Sequence, residues 1–288
     1  MNHLVLAIVL VAAFCHASWN FLAKRAGNSP GFIWLFAALS AILYVPVLLV
    51  FSMIEKPHLD GLQIIFIFGT ACLHIAYFFF LQRGYGVGDL SLSYPLARGM
   101  GPLLSTLGAI ALLGERPSVI ALIGIVLLVG GVLFLVGNPV QILRRGAQTR
   151  VVVGYALLTS IFIASYTLWD KYAVSTLLIS PLLLDGTSNI ARAALLTPTV
   201  VGKWARVKET LQRYRLEVVG VALLSPLAYV LILFAMSSSP VSYVAPMREC
   251  SVLIGTFLGT RFLAEKQLWR RLSAASVILL GIILLALG

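Results

Sequence analysis

Residues 89–115 read DLSLSYPLARGMGPLLSTLGAIALLGE, an apolar run whose interior holds one charge, Arg98, within Pro95-Leu96-Ala97-Arg98-Gly99. Small residues follow at four-residue steps: Gly101, Ser105 and Ala109. The device returns 150 positions later as Arg248, Ser251, Gly255 and Gly259, and each arginine stands 17 residues ahead of a glutamate, Glu115 or Glu265. On a helix, an arginine three residues before such a stripe shares its face. Both arginines are therefore expected to point at packed protein and not at lipid. The run itself is long enough to cross a bilayer, which takes about 20 residues.

The rest of the chain agrees with that reading. Of its 288 residues 60% are hydrophobic and 11% charged, against about 25% charged in soluble domains. Mean hydropathy is +1.00. The expected fold is an all-α integral membrane protein, because a β-barrel would show short alternating segments where this chain has continuous runs. The net charge of +11 comes from bases scattered through short connectors, a pattern that sets orientation and argues against nucleic acid as a partner. Cys15, Cys72 and Cys250 lie inside apolar runs without metal spacing and read as free thiols. The opening Met1-Asn2-His3 has no basic stretch, so no cleavable signal peptide is expected.

Ten spans are predicted, near 4–22, 32–53, 62–82, 91–113, 118–136, 151–169, 180–201, 217–236, 241–262 and 268–287. Turn signals such as Gly137-Asn138-Pro139 and Ser237-Ser238-Ser239-Pro240 separate them. A linker at 138–150 divides five spans in 1–137 from five in 151–288, and 202–216 reads as a basic amphipathic surface helix. Ala17-Ser18-Trp19 with Lys24 recurs as Ala164-Ser165-Tyr166 with Lys171; Ala76-Tyr77 recurs as Ala228-Tyr229; Gly131 recurs as Gly281. An odd number of spans per half makes the second half enter from the opposite side. The halves are then inverted repeats, which commonly bind substrate at their interface near the membrane midplane.

Of the 21 Lys and Arg, 15 fall in connectors after odd-numbered spans, three on the opposite side and three within spans. Positive-inside therefore predicts both termini outside a bacterial-type cytoplasmic membrane.

Ten spans, the five-plus-five duplication, and Gly114-Glu115 or Ala264-Glu265 before each half's last span resemble the EamA-type drug/metabolite transporters. The resemblance covers essentially the whole chain. It implies a central cavity lined by spans 1, 3, 4, 6, 8 and 9. It also implies cytoplasmic termini in several members, opposite to the charge count. Relatives carry amino acids, nucleotide sugars, sugar phosphates or drugs, so the fold does not name the cargo. The opening HASWN with the two arginines resembles a subgroup linked to phosphonate use.

Arg98 lies nine residues past Asp89, about 13 Å along a helix, and Arg248 lies eight past Pro240. Both are near the middle of a core about 30 Å thick. A charge there costs at least about 2.5–3.5 kcal/mol, so it normally faces a wet cavity or a partner. A clamp for carboxylate, phosphate or phosphonate is one reading, since the guanidinium fork suits such groups. An internal ion pair with Glu249 or Asp185 is the other. His16, Trp19 and Asn20 on span 1, His74 and Tyr77 on span 3, Tyr94 on span 4, Tyr166 on span 6, Tyr229 on span 8 and Tyr243 on span 9 are the further candidates for substrate contact. Each could instead pack or bridge helices. Asp185 and Arg192 are two turns apart on one face of span 7; the resemblance places that span at the periphery, so they read as a structural pair with a neighbouring helix. Glu115 and Glu265 read as helix caps, and Lys24 and Lys171 as interfacial lysines, with Asp170 a local partner of Lys171.

These residues predict a secondary transporter of a small polar metabolite carrying an anionic group, working by alternating access. Glu249, His16 or His74 could carry a coupling proton. The alternatives are an exporter of neutral or cationic amino acids or drugs, and a lipid-headgroup flippase. No phosphate-binding glycine loop, metal spacing or nucleophile–base pair is present, so no cofactor, metal or enzymatic activity is expected. Cargo, direction and the choice between monomer and homodimer stay open.

Overall fold

The computed structural model describes residues 3–26, 29, 31–87, 90–136, 147–251, 254 and 268–288. Among them the regular secondary structure is all helix, with no strand. The helices are α1 (His3–Ala26), α2 (Phe32–Glu55), α3 (Gly61–Val87), α4 (Leu90–Leu113), α5 (Val119–Val136), α6 (Ala147–Ser175), α7 (Pro181–Leu196), α8 (Trp204–Arg213), α9 (Arg215–Ser238), α10 (Val241–Met247) and α11 (Leu268–Leu287). Five are long and apolar enough to cross a membrane by themselves: α1, α2, α3, α6 and α9. Shorter apolar stretches lie at Gly99–Leu113, Val119–Phe134 and Ser273–Leu287. The exposed faces of the long helices are rich in Leu, Ile, Val and Phe (Leu49, Val50, Ile64, Ile65 and Phe68 among them), as lipid contact requires. This is a multi-pass membrane protein.

The helices overlap the expected spans with shifted ends: α3 runs on to Val87 and α6 to Ser175, while α7 stops at Leu196. α6 begins at Ala147, inside the expected linker, and the ninth expected span is helical to Met247, breaks in a turn at Arg248 and Glu249, and is helical again at Cys250 and Ser251. Pro246 denies the Ser242 carbonyl its helical donor in the turn before; at the break itself Glu249 N bonds Pro246 O, three residues back, at 2.9 Å. α8 occupies the expected amphipathic segment. Val207 and Thr210 are buried, Trp204 meets Trp34 edge-on at 5.4 Å, and Lys203, Arg206, Lys208 and Arg213 are exposed. Asp89, Gly255, Gly259, Glu265 and the side chains of Lys24, Tyr94 and Arg98 lie outside the described residues.

Packing follows the duplication. α1 lies along α9 and α3 along α6, while α3 touches α7 and α9 touches α2. Exchanging the halves turns α1 into α6 and α3 into α9, so each contact in these two pairs maps onto the other. The contacts α2 with α7, α4 with α10 and α5 with α11 join equivalent helices across the same relation. The core is therefore shared between the halves.

Candidate functional site

A cavity open to the outside lies among α1, α2, α3, α6, α7 and α9, with Arg248 reaching it just beyond α10. The helices on each side supply polar groups by ordinary helical spacing. Tyr166 and Asp170 on α6 are four apart and share a face. Tyr229 comes three residues after Pro226 on α9. Pro226 leaves the Ala222 carbonyl without its helical donor, and Ser40 Oγ from α2 donates to that carbonyl at 2.9 Å. Ser40 and Pro226 both line the cavity.

Of the residues singled out from sequence, His16, Trp19, His74, Tyr77, Tyr166, Tyr229 and Arg248 line this cavity together. Their rings form a continuous wall. His74 lies 4.2 Å from Tyr166 and 4.8 Å from Tyr229 between ring centroids, and Tyr77 lies 5.6 Å from Tyr166. Trp19 Nε1 donates to His16 Nδ1 at 3.2 Å. Asn20 is placed elsewhere: its Nδ2 donates to the His16 carbonyl at 2.8 Å. Tyr243 also stands apart, with its hydroxyl 3.3 Å from Ser118 N and 3.2 Å from Gly288 O. The side chains of Arg98 and Tyr94 are outside the described residues, so the mirror partner of Arg248 has no described geometry.

Arg248 is 3% exposed. Its Nε lies 3.9 Å from Glu249 Oε1, within ion-pair range but beyond hydrogen-bonding distance. Its Nε and Nη2 have no hydrogen-bond partner among the described residues. A regular helix would splay adjacent side chains by about 100°; the turn at 248–249 brings this pair as close as it is. The result is a buried cation with open donors at the edge of a cavity.

Two further polar clusters flank it. Asp185 on α7 accepts from Tyr44 Oη at 2.6 Å and from Arg192 Nη2 at 3.3 Å. The pair is internal, as the seven-residue spacing suggests, yet Asp185, Asn189 and Arg192 also line the cavity. α2 and α7 thus join a wall that the family resemblance assigned to other helices. Asp170 on α6, 0% exposed, accepts from Thr70 Oγ1 at 2.5 Å, from Tyr229 Oη, and lies 3.3 Å from His74 Nε2. Sequence had given Asp170 to its neighbour Lys171. Instead Lys171 Nζ donates to Met236 O at 2.6 Å and Ser239 O at 3.0 Å, closing the C-terminal end of α9. The one sequence signal for Asp170 was its spacing of four from Tyr166.

Glu115 does act as a cap, but for a helix of the other half: Val241 N and Ser242 N donate to its two carboxylate oxygens at 2.7 and 2.9 Å.

None of the curated proteins matches the sequence. One solved crystal structure of a protein, 15% identical, aligns over 100% of this chain and 98% of the other with a TM-score of 0.73; at that identity the likeness speaks for the fold alone. The EamA-like transporter family matches residues 3–137 and again residues 150–287. With two matched repeats covering nearly all of its length, the chain belongs to the EamA-like transporter family.

Proposed function

We propose that this protein is a secondary transporter of a small polar metabolite with an anionic group (carboxylate, phosphate or phosphonate), working by alternating access. Ten spans of a bacterial-type inner membrane, with both termini outside by the charge count, complete the reading. One observation carries the anionic preference: the buried guanidinium of Arg248 lines the cavity, and its Nε and Nη2 have no hydrogen-bond partner among the described residues. Buried donors left open cost free energy until something accepts from them, and an oxyanion supplies the charge-assisted acceptors that fit an arginine fork. The aromatic wall would then grade size.

An exporter of cationic or neutral amino acids or drugs is the competing reading, and Asp185 at the cavity wall favours it. Its carboxylate already accepts hydrogen bonds from Tyr44 and Arg192, whereas Arg248, though 3.9 Å from Glu249, keeps two donors without a hydrogen bond.

A thermal-shift screen of purified protein against acetate, inorganic phosphate, methylphosphonate and ethylamine tests this. A ligand at 100 times its Kd stabilises by about 2.7 kcal/mol. The expected result is a shift with at least one anion, lost in Arg248→Gln, and none with ethylamine. An anion shift that survives intact in Arg248→Gln removes the proposal; a shift with ethylamine alone supports the competing one.

A further inference from the structure

Each arginine described in the cavity has a carboxylate of its own: Arg192 has Asp185 at 3.3 Å and Arg248 has Glu249 at 3.9 Å. Asp170 is the exception. It is fully buried, and its partners are two hydroxyls, from Thr70 and Tyr229, and the imidazole of His74. The adjacent Lys171 is turned to the carbonyls of Met236 and Ser239. A buried carboxylate is tolerated when a positive charge or a proton accompanies it. Here the only group among its described partners able to bring one is His74, whose ring also lines the cavity.

We propose that His74 and Asp170 together form a proton-binding site whose proton is carried with, or against, the substrate anion held at Arg248. This rests on the anion-carrier reading above and adds the coupling ion to it. The titratable and charged groups that line the cavity with His74 are His16 from α1, Tyr77 from α3, Tyr166 from α6, Tyr229 from α9, Asp185 and Arg192 from α7, and Arg248 after α10, the last with Glu249 Oε1 3.9 Å from its Nε. Arg192 and Arg248 line the same cavity as the His74 ring. A substrate anion held there would place negative charge beside a protonated dyad, and opposite charges in one buried cavity attract, so proton and anion would bind more readily together than apart. Loading one then promotes the other, which is the linkage that coupled transport needs.

Two measurements test it. First, wild type, His74→Gln, Asp170→Asn and the double variant are titrated in detergent from about pH 8 to about pH 5 against an indicator dye, without any anion. Wild type takes up a proton that each single variant lacks, and the double variant loses no more than either. Equal uptake by all four overturns the site, as does loss in His74→Gln with Asp170→Asn matching wild type. His74→Asn replaces His74→Gln if the latter does not elute as folded protein.

Second, proteoliposomes are given labelled methylphosphonate or phosphate, whichever binds in the screen above. An imposed pH gradient drives net accumulation or depletion by wild type, whereas His74→Gln and Asp170→Asn retain only exchange. Net movement that persists undiminished in both variants, or wild-type exchange that ignores the gradient, overturns the coupling while leaving the anion carrier standing. Absence of any anion binding defeats the carrier reading and with it the coupling, and the dye titration still decides whether the dyad holds a proton.

Discussion

Gly124 and Gly281 meet backbone to backbone where α5 crosses α11: a Cβ built on either would lie 2.7 Å from the other's carbonyl oxygen. Gly131 repeats the contact one level away, where a Cβ would lie 3.2 Å from the Ala274 carbonyl. With an offset of 150, Gly131 corresponds to Gly281 and Gly124 to Ala274, so the two contacts are one contact seen twice through the inverted repeat. Small residues at such crossings let membrane helices approach closely enough for van der Waals attraction to hold them.

Gly281→Ala should therefore lower stability by about 1–3 kcal/mol, as overpacking does, because the obstructing atoms are backbone and cannot swing away. Gly130→Ala is the control. Its Cβ would meet nothing within 4 Å, and the change should leave the melting temperature in detergent unchanged or slightly higher.

Glu115 ties the halves together by accepting from Val241 N and Ser242 N. Removing a capping side chain costs about 0.5–2 kcal/mol. Glu115→Ala should show that loss in thermal unfolding, and hydrogen exchange should quicken at Val241 and Ser242 before it does elsewhere. Unchanged protection at those two amides would refute the cap.

Lys171 holds the opposite kind of helix end, donating to Met236 O and Ser239 O. Hydrogen bonds to charged groups are worth about 1.5–3 kcal/mol. Lys171→Met keeps the stem and removes both bonds, so the melting temperature should fall and cleavage by an added protease near Ser237–Pro240 should rise. Equal protease resistance would show that the lysine instead reaches into the interface.

Tyr44, Asp185 and Arg192 form one buried unit. Taking away one member of a buried ion pair costs about 3–5 kcal/mol, whereas Tyr44→Phe removes one donor and should cost about 1–3 kcal/mol. Asp185→Asn should thus destabilise more than Tyr44→Phe in detergent melts. The reverse order would mean that Arg192 finds another acceptor.

Much of the cavity was legible because its residues contradict their surroundings. His16, His74 and Arg248 are polar groups deep in apolar runs, where insertion costs select against them unless they face a cavity or a partner. All three line the cavity. Asp170 was hidden by its neighbour: a carboxylate beside a lysine at a helix end invites a local pair. Adjacent helical residues diverge by about 100°, so Asp170 turned inward to Thr70, His74 and Tyr229 while Lys171 turned to the end of α9. Span 7 was read as peripheral through family resemblance, and only its packing against α2 and α3 brought Asp185 and Arg192 to the cavity wall.

What the chain order alone determined is the helical membrane architecture and its duplication. Hydropathy, turn residues and repeat spacing are local or one-dimensional properties, and lipid permits few answers to them. Which polar groups meet was decided by tertiary structure. Thr70 and Asp170 are 100 positions apart, and Tyr44 and Asp185 are 141 apart. Their contact depends on how helices rotate and cross, which is fixed by close packing at sites such as Gly124 and Gly281 and has no signature in any single segment.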